Sequence, residues 1–372
     1  MKSIKILHCA DFHLDAPLVN LDKNKAAIRR EELIEGFGRI LFLAKDENVD
    51  FVFISGDLFD GRRVGSHTID FIKKSIEELD GIPVILAAGN HDCLLGNVHY
   101  SQTKWPSNFY IFTGSMERID FPEKNCCIYG RSFNNPYAEE GYLRDFKVED
   151  DDRINIMVMH GDILKNSKYN PITIEEIGDS GLDYLALGHI HKFSGIQKVK
   201  STSWAYPGTP EGIGFDETGE KGVIIGEIFK NHVQLDFKKT CKRQYRQVVA
   251  DITDLTTYDE IVNKISESFD DESQNNFYRV LLNGFISGDF IINTEVLWHK
   301  LKEDTYDLKI YNDRLFDMSG QEDENTLVQV FMNHIKSEIE KSDDNERDIL
   351  NRAFMLGLYA MKGQEIGFDE DT

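Results

Sequence analysis

Five short blocks stand in one order along the chain: Asp11-Phe12-His13, Gly56-Asp57, Gly89-Asn90-His91-Asp92, His160-Gly161 and Gly188-His189-Ile190-His191. Their carboxylate, imidazole and carboxamide groups form a hard-to-borderline ligand set, suited to manganese, iron, zinc or magnesium. These ligands are too many for one tetrahedral ion. They suffice for two ions that share one carboxylate, an arrangement suited to hydrolysis of a phosphate ester.

The blocks need a scaffold that brings them together. Apolar stretches precede them: Leu7 before the first, Phe51-Val52-Phe53-Ile54 before the second, Val84-Ile85-Leu86 before the third. Ile156-Met157-Val158-Met159 precedes the fourth and Tyr184-Leu185-Ala186-Leu187 the fifth. These read as buried strands. Side chains at the carboxyl ends of adjacent strands share one crevice, where open α/β sheets bind ligands.

Helical stretches alternate with these strands. From Lys25 to Asp46, apolar Ile28, Leu33, Ile34, Phe37, Ile40, Leu41 and Ala44 fall at helical spacing. Thr68 to Leu79 repeats the pattern through Ile69, Ile72, Ile76 and Leu79. Such alternation predicts an α/β domain. After Gly181, Tyr184 to Leu187, Gly222 to Phe229 and Val233 to Phe237 read as strands with little helix between them, which predicts a second sheet packed on the first.

Each block alone is weak evidence. Together they resemble the calcineurin-like metallophosphoesterase superfamily over roughly the first two thirds of the chain. Asp11-Phe12-His13-Leu14-Asp15-Ala16-Pro17 and Tyr206-Pro207-Gly208-Thr209-Pro210-Glu211-Gly212 are similar to the SbcD-type DNA repair exonuclease branch, closest to its YhaO-like members. The stretch Gly214 to Gly222 strengthens the likeness. The resemblance implies a four-layer αββα sandwich and two divalent ions, manganese foremost, with iron, zinc and magnesium as alternatives. It implies Asp11, His13 and His191 at the first metal, Asn90, His160 and His189 at the second, and Asp57 bridging both.

His91 is expected to face the substrate rather than a metal. It would stabilise the transition state or protonate the leaving oxygen, a task for a group that titrates near neutrality. Asp92 is expected to orient that ring. His8 reads as a core or supporting residue, and Asp60 as a partner of a ligand histidine or a loop end. Tyr206 reads equally as a substrate contact and as packing. His67, His99, His232, His299 and His334 lack a constellation and read as ordinary surface or core residues.

The phosphoesterase domain is expected over 1–243 and a small α/β cap domain over 244–342. A C-terminal amphipathic helix with an acidic tail is expected over 343–372. The basic stretch Lys238 to Arg246 marks the first boundary, and it reads chiefly as a solvated edge strand or linker. Thr326 to Glu340 reads as one helix. Asp343-Asp344-Asn345-Glu346 breaks it before a second from Arg347 to Met361, which covers its own domain or docks a partner.

At 372 residues, 41% hydrophobic and 29% charged, the composition is that of a globular protein. No apolar stretch reaches the roughly 20 residues of a membrane span. The N-terminal apolar stretch is broken by Asp11 and His13, so no signal peptide is expected. Five cysteines without metal-type spacing fit a reducing compartment, and the expected location is cytoplasmic. A net charge of −23 argues against an autonomous DNA binder, because basic contacts to phosphate dominate nucleic-acid affinity.

Three functions follow. The first is a manganese-dependent DNA exonuclease or endonuclease subunit in repair, working with an SbcC-like ABC/SMC-type ATPase that supplies much of the DNA grip. The resemblance also implies a homodimer. The second is a phosphoesterase for a small molecule or phosphoprotein. The third is a non-catalytic scaffold, disfavoured because every expected ligand and His91 are present.

Overall fold

The computed structural model describes residues 3–61, 63–149, 152–253, 255–286, 292–317, 327–339 and 341–342, with 350, 353–354, 356–357 and 360–361. The alternation read from the sequence forms β1 (Ile4–Cys9), α1 (Lys23–Asp46), β2 (Phe51–Ile54), α2 (Ser66–Glu77), β3 (Val84–Leu86), α3 (Val98–Gln102) and β4 (Phe109–Ile111). Next come β5 (Glu117–Phe121), β6 (Cys126–Arg131), β7 (Ile154–His160), α4 (Ile174–Asp179), β8 (Tyr184–Gly188), β9 (Gln197–Val199) and β10 (Thr202–Ala205). The strands β11 (Gly222–Phe229) and β12 (His232–Lys239) follow.

Two six-stranded sheets result, in the orders β12-β11-β1-β2-β3-β4 and β5-β6-β7-β8-β10-β9. In the first, β1 to β4 are mutually parallel, whereas β11 lies antiparallel beside β1 and β12 pairs antiparallel with β11 at the edge. These two strands therefore complete the first sheet, while β8 belongs to the second. In the second, β6, β7, β8 and β10 are parallel and β5 and β9 form antiparallel edges.

Side-chain alternation on the strands produces the layers. Ile4, Ile6, Phe51, Phe53 and Ile85 from the first sheet meet Ile128, Ile154, Ile156, Tyr184 and Ala186 from the second in one inner core. The alternate residues Leu7, Val52, Ile54, Val84 and Leu86 pack outward on Leu33, Phe37, Ile40 and Ile72 of α1 and α2. On the far side, Met157, Met159, Leu185 and Leu187 pack with Ile177 of α4. The result is the expected αββα sandwich.

Helix α1 begins two residues before the expected start, because Asp22 caps it by accepting from Asn24 N and Lys25 N at 3.0 Å. Such a cap stabilises by about 1 kcal/mol. Ile28 does not join the core face and is 52% exposed. The fully buried Arg29 beside it bonds Glu211 Oε2 at 2.6 Å and Glu32 Oε2 at 3.1 Å. Glu32 also accepts from Arg243 Nη2 at 2.7 Å. This ion cluster ties the 206–212 segment to α1. Removing Glu211 would leave the Arg29 guanidinium buried without its closest partner, a loss of about 3–5 kcal/mol.

The basic stretch follows the same logic. Lys238 and Lys239 lie on the edge strand β12, where Lys238 pairs with Glu47 at 3.0 Å and Lys239 with Glu272 at 3.6 Å. Lys242 and Arg243 both reach Glu32.

The chain divides into two compact units. One comprises Met1–Gln247, Asp271–Arg279 and Asp304–Asp307; the other comprises Val248–Asp270, Val280–Glu303 and Leu308–Thr372. The remaining elements are β13 (Tyr245–Asp251), α5 (Tyr258–Ser266), β14 (Phe277–Ile286), α6 (Thr294–Leu301), β15 (Asp307–Asp317) and α7 (Leu327–Ile339). They include a three-stranded sheet in the order β13-β14-β15. Strand β15 was not expected from the sequence. Helix α5 starts at a capping box made by Thr257 and Glu260. It buries Ile261 and Ile265, while α6 buries Leu297 and Leu301. The expected helix break at 343–346 lies outside the described residues, as does the acidic end of the tail. Phe354 is buried and packs on Phe331 with ring centroids 5.8 Å apart.

Candidate metal centre

The blocks sit where their strands end. Asp11 and His13 follow β1, Asp57 follows β2 and Asn90 follows β3, while His160 closes β7 and His189 follows β8. The backbone turns sharply at each place. Asp11, His13, Asp57 and His189 all have positive φ, at 54°, 47°, 50° and 111°. For residues other than glycine this costs on the order of 1–3 kcal/mol each, and such strain collects at functional sites. Main-chain bonds from Asp11 N to Gly56 O and from His13 N to Asp57 O, both 3.0 Å, lock the first two blocks together. Two glycines are needed for this approach. A Cβ on Gly56 would collide with the His160 ring, and one on Gly89 with the Asp57 carboxylate.

Histidine tautomers follow from the hydrogen bonds. Nδ1 of His13 faces Asp60 Oδ1 at 3.1 Å, and Nδ1 of His191 faces Glu217 Oε1 at 2.5 Å. With Nδ1–H donating to a carboxylate, the neutral form of each ring presents its lone pair at Nε2. Those two Nε2 atoms stand 3.2 Å apart. Asp11 completes this group, with ligand atoms all within 4.8 Å of one another. The Asp11 oxygens also accept from His189 N, both at 3.1 Å.

A second group joins Asp11, Asp57 and His160. His160 donates Nδ1–H to Ser55 O at 2.9 Å, which turns Nε2 toward Asn90 Oδ1 at 2.9 Å and Asp57 Oδ2 at 3.3 Å. Asp57 Oδ2 is also 3.9 Å from His13 Nε2. Asp57 Oδ2 therefore lies near a histidine of each group, while Asp57 Oδ1 accepts from His91 N at 2.9 Å; Asp11 is the carboxylate common to both groups. His189 flanks His160 with ring centroids 5.1 Å apart, and the Tyr169 ring lies 5.0 Å from it.

Carboxylate, carboxamide and imidazole donor atoms converge here, and this donor set fits two divalent cations once His160 gives up its Nε2 proton. The electrostatics agree. Burial alone would raise Asp57, but His160 and His13 hold its carboxyl below the usual range. Burial would lower His160, but Asp57 and Asp11 raise it to about 9. Its Nε2 thus holds a proton when no metal competes for it. Burial raises Asp11, against the pull of His160 and His191. Burial lowers His189 to about 3, so its imidazole stays neutral.

His91 lies outside these two groups but in a third, with His13 and Asp60, whose ligand atoms also fall within 4.8 Å of one another. Its side chain is 46% exposed, and Nδ1 lies 3.2 Å from Asp60 Oδ1. That hydrogen bond raises its pKa, against burial. Asp60 therefore touches His13 and His91 together. This corrects the expectation for Asp92. Asp92 is fully buried and accepts from Leu58 N at 2.8 Å, Gly89 N at 2.7 Å and Tyr100 Oη at 2.5 Å. It shapes the loops around Asp57 and Asn90, and Asp60 is the carboxylate at the His91 ring.

Sequence reasoning missed three further residues. Glu217 lies in the Gly214 to Gly222 stretch that carried a family likeness but no chemical role. Ser55 acts through its main-chain oxygen, which no residue type advertises. Tyr169 sits in an irregular loop without a motif. His8 is buried between the sheets, bonded to Tyr184 Oη at 2.9 Å and Ser55 Oγ at 3.0 Å. Tyr206 is buried and donates to Gly161 O at 2.8 Å, so packing accounts for it.

The calcineurin-like phosphoesterase family profile matches residues 4–193. The chain belongs to that family. It is 27% identical over 281 residues to the uncharacterized metallophosphoesterase YhaO of Bacillus subtilis, covering 72% of this chain and 68% of that one. It is 26% identical over 246 residues to the DNA double-strand break repair protein Mre11 of Methanopyrus kandleri, covering 59% and 51%. It is 27% identical over 271 residues to the SbcD component of the nuclease SbcCD of Staphylococcus epidermidis, covering 62% and 67%. The chain thus spans about half the length of the Mre11 relative. These relatives match the SbcD/YhaO-like branch that the motifs indicated. Among the described residues, no helix is long and apolar enough to cross a membrane.

Proposed function

We propose that this protein is a dinuclear-metal phosphodiesterase, and that its substrate is DNA. The position of Asp57 Oδ2 between His160 Nε2 and His13 Nε2 carries the reading, because one shared carboxylate is what a bridged pair of ions requires. Asp11, His13 and His191 would hold the first ion and Asn90, His160 and His189 the second. Bound divalent ions supply charge stabilisation for the phosphoryl group and an activated water. His91, held by Asp60 and open to solvent, donates a proton to the leaving oxygen. Manganese is the proposed metal.

The names of the Mre11 and SbcCD relatives support DNA as substrate and a repair nuclease as the biological unit. The partner would be an SbcC-like ATPase, with the C-terminal unit as cap domain and the chain as a homodimer. The described cysteines are free and buried, which supports a cytoplasmic location.

A phosphoesterase for small substrates is the second reading. It is favoured by the net charge of −23 and by the ion pairing of Lys238, Lys239, Lys242 and Arg243, which leaves that stretch little charge to offer a phosphate backbone. Cleavage of end-labelled linear DNA in Mn²⁺, at rising salt, separates the two. A nuclease loses activity steeply with salt. Salt-tolerant turnover of a small diester, without DNA cleavage even when the ATPase is added, would favour the second reading.

A further inference from the structure

The 206–222 segment grips His191 at both its ring and its backbone. Glu217 Oε1 takes the ring Nδ1–H at 2.5 Å, and Glu217 Oε2 is pinned by Ile213 N at 2.8 Å. Lys221 Nζ donates to His191 O at 2.9 Å, and Thr209 N donates to the same oxygen at 3.3 Å. Glu217 and Lys221 are only 4% and 5% exposed. A buried carboxylate with both oxygens engaged has one orientation, and so does the imidazole bonded to it.

This makes the two groups of the centre unequal. Both histidines of the first, His13 and His191, donate Nδ1–H to carboxylates. His160 in the second donates to a neutral carbonyl. A carboxylate behind an imidazole raises its basicity as a ligand and fixes its tautomer, and losing it weakens metal affinity by about 10–100-fold.

We infer that Glu217 is a positioning residue for the first metal, and that through His191 it makes that position the tighter of the two. The inference rests on the dinuclear reading above. The test is calorimetric titration of Mn²⁺ into the metal-free full-length protein and into Glu217→Gln and Glu217→Ala. Low-temperature electron paramagnetic resonance follows the same titrations.

The wild type should bind two ions in two steps. Glu217→Gln keeps the shape and removes the charge. It should weaken the tighter step by about tenfold or more and leave the weaker step in place. The spin-coupled signal of an ion pair should then appear only at higher Mn²⁺. Glu217→Ala should weaken the tighter step further; if it does not fold, Glu217→Gln decides. Wild-type affinity at both steps in Glu217→Gln would overturn the inference. Equal weakening of both steps, with a matching fall in the melting temperature of the metal-free protein, would overturn it too and reduce Glu217 to a structural role. A wild type that binds no Mn²⁺ would overturn the dinuclear reading itself.

Discussion

Nε2 of His13 and Nε2 of His191 face each other at 3.2 Å, although 178 residues separate them in the chain. Their Nδ1 atoms are committed to Asp60 and Glu217. Two nitrogen lone pairs this close repel unless a proton or a cation lies between them. The fold holds them there through strained loops, in a geometry that a bound cation satisfies in place of a proton.

Asp57→Asn tests the bridge. A neutral carboxamide at this position cannot compensate two dications. At least one ion should be lost per chain, measured by metal content after gel filtration, with hydrolysis reduced by about 100-fold or more. Two ions at full occupancy would refute the bridging role.

His91→Asn should keep both ions and lose turnover. Its ring is outside the two groups that share Asp11, meets them only through His13 and Asp60, and is open to solvent. General-acid catalysis contributes about 10²–10⁴-fold, and a fall in kcat of that size is expected with metal content unchanged. Normal turnover would remove His91 from the mechanism.

Asp60→Asn should act on His13 and His91 together. Asp60 raises the pKa of His91, so the variant should shift the corresponding limb of the kcat profile to lower pH. Mn²⁺ affinity should fall about 10–100-fold through His13. An unchanged pH profile would show that the Asp60–His91 contact does not persist during catalysis.

The metal-free protein should lose stability as pH rises. His160 has an ordinary pKa of 6.5 and about 9 in the fold, raised by Asp57 and Asp11 against burial. Its stabilisation is therefore complete below about pH 6.5 and disappears as pH passes 9. Urea denaturation of metal-free protein across that window should show the decline, and His160→Gln should reduce it, leaving the contribution of His91 and His191, whose pKa values are also raised. A flat dependence in the wild type would contradict the protonated His160.

Much of this site was legible because metal ligation demands particular residue types at strand ends, and a buried strand of four apolar residues such as Phe51–Ile54 announces itself. The supporting groups were harder to read. Glu217 reaches His191 across 26 residues of irregular chain, and no periodicity signals such a contact. Asp92 adjoins His91 in sequence whereas Asp60 lies far from it, and only the fold shows that Asp92 is consumed by main-chain donors and Tyr100 while Asp60 reaches the His91 ring. Ile28 kept the helical spacing of its neighbours but fell outside the core, because buried Arg29 and Glu32 hold the adjoining face of α1. Strand β15 followed no motif and became visible only through its pairing.

The most direct test of the central claim is the Mn²⁺ content of the purified protein alongside its hydrolysis of a simple phosphodiester, with Asp57→Asn in parallel. Two ions per chain and metal-dependent hydrolysis, both impaired in Asp57→Asn, are predicted. One ion or none at saturating Mn²⁺, or hydrolysis that survives in Asp57→Asn, would contradict a bridged dinuclear centre.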